Sequence, residues 1–213
     1  MEPIYLKTYE TLPVDRSALL RYARAGTEAP PLLEECLAEA ARTGPGRVCW
    51  RRFPVYRRGE ALDFGFASVR ARSLERHLEG CDGIILFAAT VGLGIDRLIS
   101  RYASVSPAKA FLFDAIGTER VEALCDAFCA DMEETFGPLR SRFSPGYGEV
   151  PLELQRDSLA TLDCQRKIGL TLNESLLMTP SKSVTAIVGI GCGERRGRCE
   201  DCDQEDCAYR ETL

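Results

Sequence analysis

Gly83-Ile84-Ile85-Leu86-Phe87-Ala88-Ala89 is an unbroken apolar run that ends in Thr90-Val91-Gly92-Leu93-Gly94. Such a run is the signature of a central strand. Upstream, residues 47–70 are aromatic and β-branched with scattered arginines (Val48, Trp50, Phe53, Val55, Tyr56, then Leu62, Phe64, Phe66, Val69) and predict two or three half-buried strands. Ser73 begins a short helix that Gly80 ends. Downstream, Ile95, Leu98, Ile99 and Tyr102 mark one helix. Pro107 opens another through Phe111, Ile116, Val121, Leu124, Phe128 and Met132. Residues 137–151 read as an ordered loop. A helix is expected from Leu152 to about Lys167, and a last strand over Ser183–Ile190. At the other end, Ile4-Tyr5-Leu6 suggests a strand. Asp15 can cap a helix that Gly26 ends, and Pro30-Pro31 open a second helix that Gly44-Pro45-Gly46 stops. Strands and helices alternate without a βαβ rhythm, and the helices cluster in mid-chain. The expected class is α+β, with a mostly antiparallel sheet flanked by helices.

The chain has 213 residues, 45% hydrophobic and 28% charged, which is ordinary globular composition. The only composition shift falls at Gly191, so residues 1–190 are expected as one domain and 191–213 as an appendage. A net charge of −5 argues against nucleic acid as the main partner. No apolar run reaches the about 18 residues that span a bilayer. The start MEPIYLKTYE carries no charged-then-apolar leader, so a cytoplasmic setting with reduced thiols is expected. The unusual counts are one histidine and ten cysteines. His77 alone excludes every His-pair zinc motif and leaves one candidate for imidazole acid–base chemistry.

The cysteines divide. Cys36, Cys125 and Cys129 lie on helix faces beside leucine and phenylalanine, where a free thiol behaves as a small hydrophobe. Cys49, Cys81 and Cys164 are isolated in sequence and read as packing. The remaining four follow one another closely as Cys192-x6-Cys199-x2-Cys202-x4-Cys207. The C-x2-C pair puts two sulfurs on one turn, and Gly191, Gly193 and Gly197 let the backbone wrap around a centre. Arg195, Arg196 and Arg198 can hold thiolate charge. This polar tail cannot build an apolar core, so order there needs a staple. In a reducing compartment a metal is favoured over disulfides. Four thiolates suit tetrahedral zinc and an iron–sulfur cluster alike, and the spacing does not choose between them.

Arg142-Phe143-Ser144-Pro145-Gly146-Tyr147-Gly148 has the parts of a small-molecule clamp. Arg142 is a forked donor for a carboxylate. Gly146 allows close backbone approach, and Tyr147 offers an aromatic face and a hydroxyl. After an intervening helix come Gly169-Leu170-Thr171-Leu172-Asn173-Glu174-Ser175-Leu176-Leu177-Met178-Thr179-Pro180 and then Ser183-Val184. This order resembles the activation (reactivation) domain of cobalamin-dependent methionine synthase, which shows Arg-x-x-Pro-Gly-Tyr, Gly-x-x-Leu-Thr-Glu-Ser-x-x-Met-x-Pro and Ser-Val. The likeness covers residues 142–184. It extends more weakly through Ala88-Ala89-Thr90-Val91-Gly92 and Glu119-Arg120-Val121-Glu122-Ala123. Where the family has a further aromatic segment, Gly191 leads straight into the cysteine tail.

The resemblance implies a curved, twisted antiparallel sheet and a groove for S-adenosylmethionine. Carried over by motif, Arg142 meets the methionine carboxylate, Glu122 lies near the amino group, Ser144 and Gly146 offer backbone contacts and Tyr147 lines the site. Glu174 and Ser175 match the second motif, as site-lining or as structural residues. The implied role is a stand-alone reactivation protein. It supports reductive methylation of cob(II)alamin on a cobalamin-dependent methionine synthase or related corrinoid methyltransferase, with an electron-donor protein as a further partner. Positioning carries such a methyl transfer and no general base is required, which suits a chain with one histidine. A cysteine-tail iron–sulfur relay is an addition that the resemblance does not supply. The competing reading is a metal-stapled docking module for a corrinoid protein that does not use S-adenosylmethionine. A methyltransferase acting on another substrate is a third.

Overall fold

The structure is a computed structural model that describes residues 2–25 and 30–192. In chain order its elements are β1 (Tyr5–Tyr9), α1 (Arg16–Tyr22), α2 (Leu33–Ala40), β2 (Gly46–Pro54), β3 (Tyr56–Arg58), β4 (Ala61–Asp63) and β5 (Ser68–Val69). Then follow α3 (Arg72–His77), β6 (Gly83–Thr90), α4 (Leu93–Tyr102), α5 (Pro107–Phe136), α6 (Leu154–Thr161), α7 (Cys164–Ile168), β7 (Thr171–Leu172), β8 (Met178–Thr179) and β9 (Ser183–Ile190). The main sheet runs β1-β2-β6-β9 and is antiparallel throughout. A small sheet β3-β4-β5 and a hairpin β7-β8 accompany it. The architecture is α+β with open antiparallel sheets, as expected.

The apolar run over β6 has a direct cause. Every residue of Gly83–Thr90 is buried, because helices and loops cover both faces of the sheet. Ile85, Phe87 and Ala89 face a core shared with α1, α2, α4 and α5, while Ile84, Leu86 and Ala88 face a second core under α3, α6 and α7. Two-residue alternation therefore divides one strand between two cores. Each buried Ile, Leu or Phe contributes about 1.5–3 kcal/mol of hydrophobic stabilisation.

In the first core, the long helix α5 crosses the sheet. Phe128 packs 4.8 Å from Phe87 and 6.2 Å from Trp50, ring centre to ring centre. Pro107 pre-sets the first turn of α5, and Gly137, in a conformation with φ +77°, ends it. Asp15 caps α1 as expected, its Oδ1 accepting from the Ala18 amide at 3.0 Å.

The second core corrects one expectation. The single helix predicted from Leu152 to about Lys167 is two helices, α6 and α7, broken at Asp163 with φ +48°. The break turns Cys164 into the core, where its sulfur lies 3.6 Å from that of Cys49 on β2. Residues 47–70 form four strands rather than two or three, since the short strands of the small sheet fold back beyond β2.

Candidate functional site

The candidate loop starts where α5 stops. After Gly137 the chain runs antiparallel along the outer edge of β9. The Arg140 amide donates to the Gly189 carbonyl at 3.0 Å, and Phe143 and Ile187 exchange both backbone hydrogen bonds at 2.9 and 2.8 Å. Alternation along this edge sends Phe143 into the second core and Arg142 towards α5.

There Arg142 is held by two carboxylates one helical turn apart. Its Nη2 lies 2.7 Å from Glu122 Oε2 and 3.1 Å from Asp126 Oδ1. The Arg142 side chain is 10% exposed, against 34% for Glu122 and 58% for Asp126, so the pair opens to solvent on its acidic side. Burial acts to lower the guanidinium pKa. The carboxylates of Glu122 and Asp126 act against it, and Arg142 is held above its ordinary range. Full burial pushes the Cys125 thiol up to about 12, so it packs as a neutral group. Arg142 Nη1 makes only a long 3.5 Å contact with the Glu122 carbonyl. The guanidinium thus keeps donors beyond the two ion pairs.

Past Phe143 the loop closes on itself. The Tyr147 amide donates to the Ser144 carbonyl, the Gly146 amide to Val150 and the Val150 amide to Tyr147, each at 3.0 Å. The Gly146 N–H and one lone pair of the Ser144 carbonyl are spent inside the turn. Gly146 has φ +88°, a conformation that favours glycine. The Tyr147 ring meets Phe143 edge-on at 6.1 Å and remains 58% exposed.

Two residues anchor this loop: Glu149, which sequence reasoning passed over, and His77, which it read only as a candidate acid or base. Glu149 Oε2 accepts from the Arg72 and Ser73 amides at 2.6 and 3.3 Å, capping α3 from across the fold, and the Glu149 amide donates to Ser73 Oγ at 3.2 Å. His77, the one histidine, is buried, with Nε2 2.8 Å from the Ser141 carbonyl and its ring 5.0 Å from Phe143. It is a post under the loop rather than an exposed acid or base. Beside Gly148 and Glu149 opens a cavity of about 1130 Å³, bordered by Arg57, Arg70, Arg72 and Arg76 and equally by Glu60, Glu75, Glu79 and Glu149 itself. No local pattern marks any of these contacts, since the partners are distant in sequence.

The second motif folds as the β7–β8 hairpin. Its loop is closed by Asn173 Oδ1, which accepts from the Leu177 amide at 2.9 Å. The exposed Glu174 is tied to α6, its carbonyl accepting from Arg156 at 2.9 Å. The structure thus brings Arg142 and Glu122 into contact, seats Ser144, Gly146 and Tyr147 in the adjoining turn, and places Glu174 on the hairpin. Of the expected tail ligands, Cys192 is buried behind β9. Cys199, Cys202 and Cys207 lie outside the described residues. Among the described residues, no group of three or more His, Cys, Asp or Glu converges as a metal site, and no helix is long and apolar enough to cross a membrane.

Superposition on the crystal structure of the MetH reactivation domain bound to AdoHcy gives a TM-score of 0.66, covering 92% of this chain and 80% of that one at 15% identity. The fold is that of the reactivation domain. No family profile and no curated protein matches the chain. The likeness therefore rests on the arrangement of helices and strands.

Proposed function

We propose that this chain binds S-adenosylmethionine beside the Pro-Gly-Tyr loop and supports reductive methylation of cob(II)alamin on a cobalamin-binding methionine synthase or related corrinoid methyltransferase in the cytoplasm. The observation that carries the reading is the Arg142–Glu122–Asp126 cluster at the root of that loop, in a chain with the reactivation-domain fold. The donor set fits the ligand. A guanidinium with donors to spare suits the methionine carboxylate, and two part-exposed carboxylates suit the adjacent ammonium and sulfonium charges. Bound there, S-adenosylmethionine supplies a sulfonium methyl group to reduced cobalt on the partner. Arg142 orients the amino-acid end, Glu122 and Asp126 hold the positive charge, and the exposed face of Tyr147 lines the adenosyl side. Binding and orientation are the chain's contribution, and no side chain needs to move a proton.

Residues 191–213 are the metal-binding appendage of this proposal. Cys192, Cys199, Cys202 and Cys207 hold either an iron–sulfur cluster, which supplies one-electron transfer from a donor protein, or a zinc ion, which staples the tail. Calorimetry of the full chain with S-adenosylmethionine tests the binding. Reduction of a cob(II)alamin-loaded partner with and without the chain, followed by the cobalamin absorbance, tests the activity. Absence of binding at about 1 mM ligand, an affinity weaker than about −4 kcal/mol, would favour a docking module that does not use the ligand.

A further inference from the structure

Cys49 and Cys164 are remote in sequence and meet inside the second core. Cys49 stands on β2, opposite Ala88 of β6, and Cys164 is the first residue of α7. Their sulfurs are 3.6 Å apart, in hydrogen-bonding contact, and the two residues are 0% and 1% exposed. The backbone is bent to make this contact. Asp163, immediately before Cys164, has φ +48°, a left-handed conformation that a residue with a side chain keeps only where its surroundings hold it. The Leu170 amide donates to the Cys164 carbonyl at 3.3 Å, so the same residue also anchors the chain entering the β7–β8 hairpin.

A thiol–thiol hydrogen bond is weak and does not by itself repay a strained residue. Two sulfurs in contact are, however, one two-electron oxidation away from a covalent bond. Closing from 3.6 Å to the about 2.05 Å of a disulfide takes an approach of about 1.5 Å. We propose that Cys49 and Cys164 form a redox modification site, joined by a peroxide into a disulfide that fastens α7 to β2. The Cys164 sulfur attacks one oxygen of hydrogen peroxide, the O–O bond breaks, and a sulfenic acid and one water form. The Cys49 sulfur then displaces the hydroxyl group from that sulfenic acid as a second water. Two thiols lose two electrons, one peroxide is reduced to two waters, and both thiol protons leave in the water. Cys164 reacts first because it sits on the element that opens. Helix α7 has five residues and left-handed residues at both ends, Asp163 and Gly169 at φ +73°, whereas Cys49 lies in a strand paired on both sides. While α7 is closed, the Cys49 sulfur and burial hold the Cys164 thiol above its ordinary range, so it stays protonated and slow to attack.

The test uses the full-length wild-type chain, reduced, incubated with hydrogen peroxide without denaturant, alkylated, digested and read by mass spectrometry. A linked Cys49–Cys164 peptide is expected, lighter by two hydrogens than the two thiol peptides together, and a thiol reductant should remove it. The linked chain should also unfold at a higher urea concentration than the reduced chain, because the bond ties residues 115 positions apart in the unfolded state. Cys164→Ala should abolish both the linked peptide and the rise in midpoint. Recovery of both thiols alkylated, or of Cys164 as sulfinic acid without the link, overturns the inference. A linked chain whose urea midpoint equals or falls below that of the reduced chain overturns it too, since α7 would then not be fastened. The deciding peptide comes from the wild-type chain, so the result stands even if the variant fails to fold.

Discussion

Replacing Arg142 by methionine separates the binding role of the site from its structural role. Methionine keeps the apolar stem against α5 and removes the guanidinium that Glu122 and Asp126 hold at 2.7 and 3.1 Å. Breaking a fully buried pair costs about 3–5 kcal/mol, and an exposed pair is worth about 0–1 kcal/mol. Arg142 is 10% exposed while its partners are 34% and 58% exposed. The expected loss is therefore intermediate, about 2 kcal/mol, or a urea midpoint lower by about 1 M at an m-value of about 2 kcal/mol/M. A domain with about 5–15 kcal/mol of stability stays folded after that loss, so ligand affinity remains measurable. A hydrogen bond to a charged group is worth about 1.5–3 kcal/mol, and calorimetry with S-adenosylmethionine should show Kd raised roughly 10- to 150-fold. A lowered urea midpoint with unchanged Kd would refute the ligand role and leave Arg142 as an anchor for the loop. No change in either would mean that the two ion pairs are solvated contacts without energetic consequence.

Glu149→Ala removes the carboxylate that caps α3 at 2.6 Å. It should cost about 1 kcal/mol in urea unfolding and speed proteolysis at the Tyr147 turn, and unchanged values in both would show the cap to be idle. Glu119 is buried on α5, where burial raises its pKa above the ordinary carboxyl value. The folded state then holds the proton more tightly than the unfolded state, so stability is fully present below about pH 4.3 and declines as pH rises through the folded pKa. Glu119→Gln should flatten that decline in urea midpoints measured from about pH 4 to 7, and an unaltered slope would assign the pH dependence elsewhere. Gly191→Ala places a Cβ at φ +75° against the Asp82 carboxylate, and a loss of about 1–3 kcal/mol is expected by thermal or urea unfolding. An unaffected variant would show that this turn yields freely.

The elements that sequence reading located are those whose signals are local. Asp15 announces α1 because its side chain bonds within its own turn, and Pro107 and Gly137 bracket α5 by backbone conformation alone. The α6–α7 break at Asp163 went unseen, because Thr161-Leu162-Asp163-Cys164 contains neither glycine nor proline and the left-handed residue is imposed by packing Cys164 against Cys49. The anchoring of the loop by Glu149 and His77 was equally invisible. Each acts on backbone atoms of a segment remote in sequence, and backbone atoms carry no residue identity to match.

From the sequence alone came the strand at Gly83–Thr90, the α+β class, the Pro-Gly-Tyr loop as the place to look, and the cysteine-rich tail as a metal candidate. These follow from burial periodicity, caps and spacing, all written over a few neighbouring residues. The tertiary structure decided which distant groups meet. It joined Arg142 to Glu122 and Asp126 across the edge of β9, divided β6 between two cores, and set Cys164 against Cys49. The physical reason is that strand order and helix crossing, rather than separation along the chain, set the distances at which charges and sulfurs act on one another.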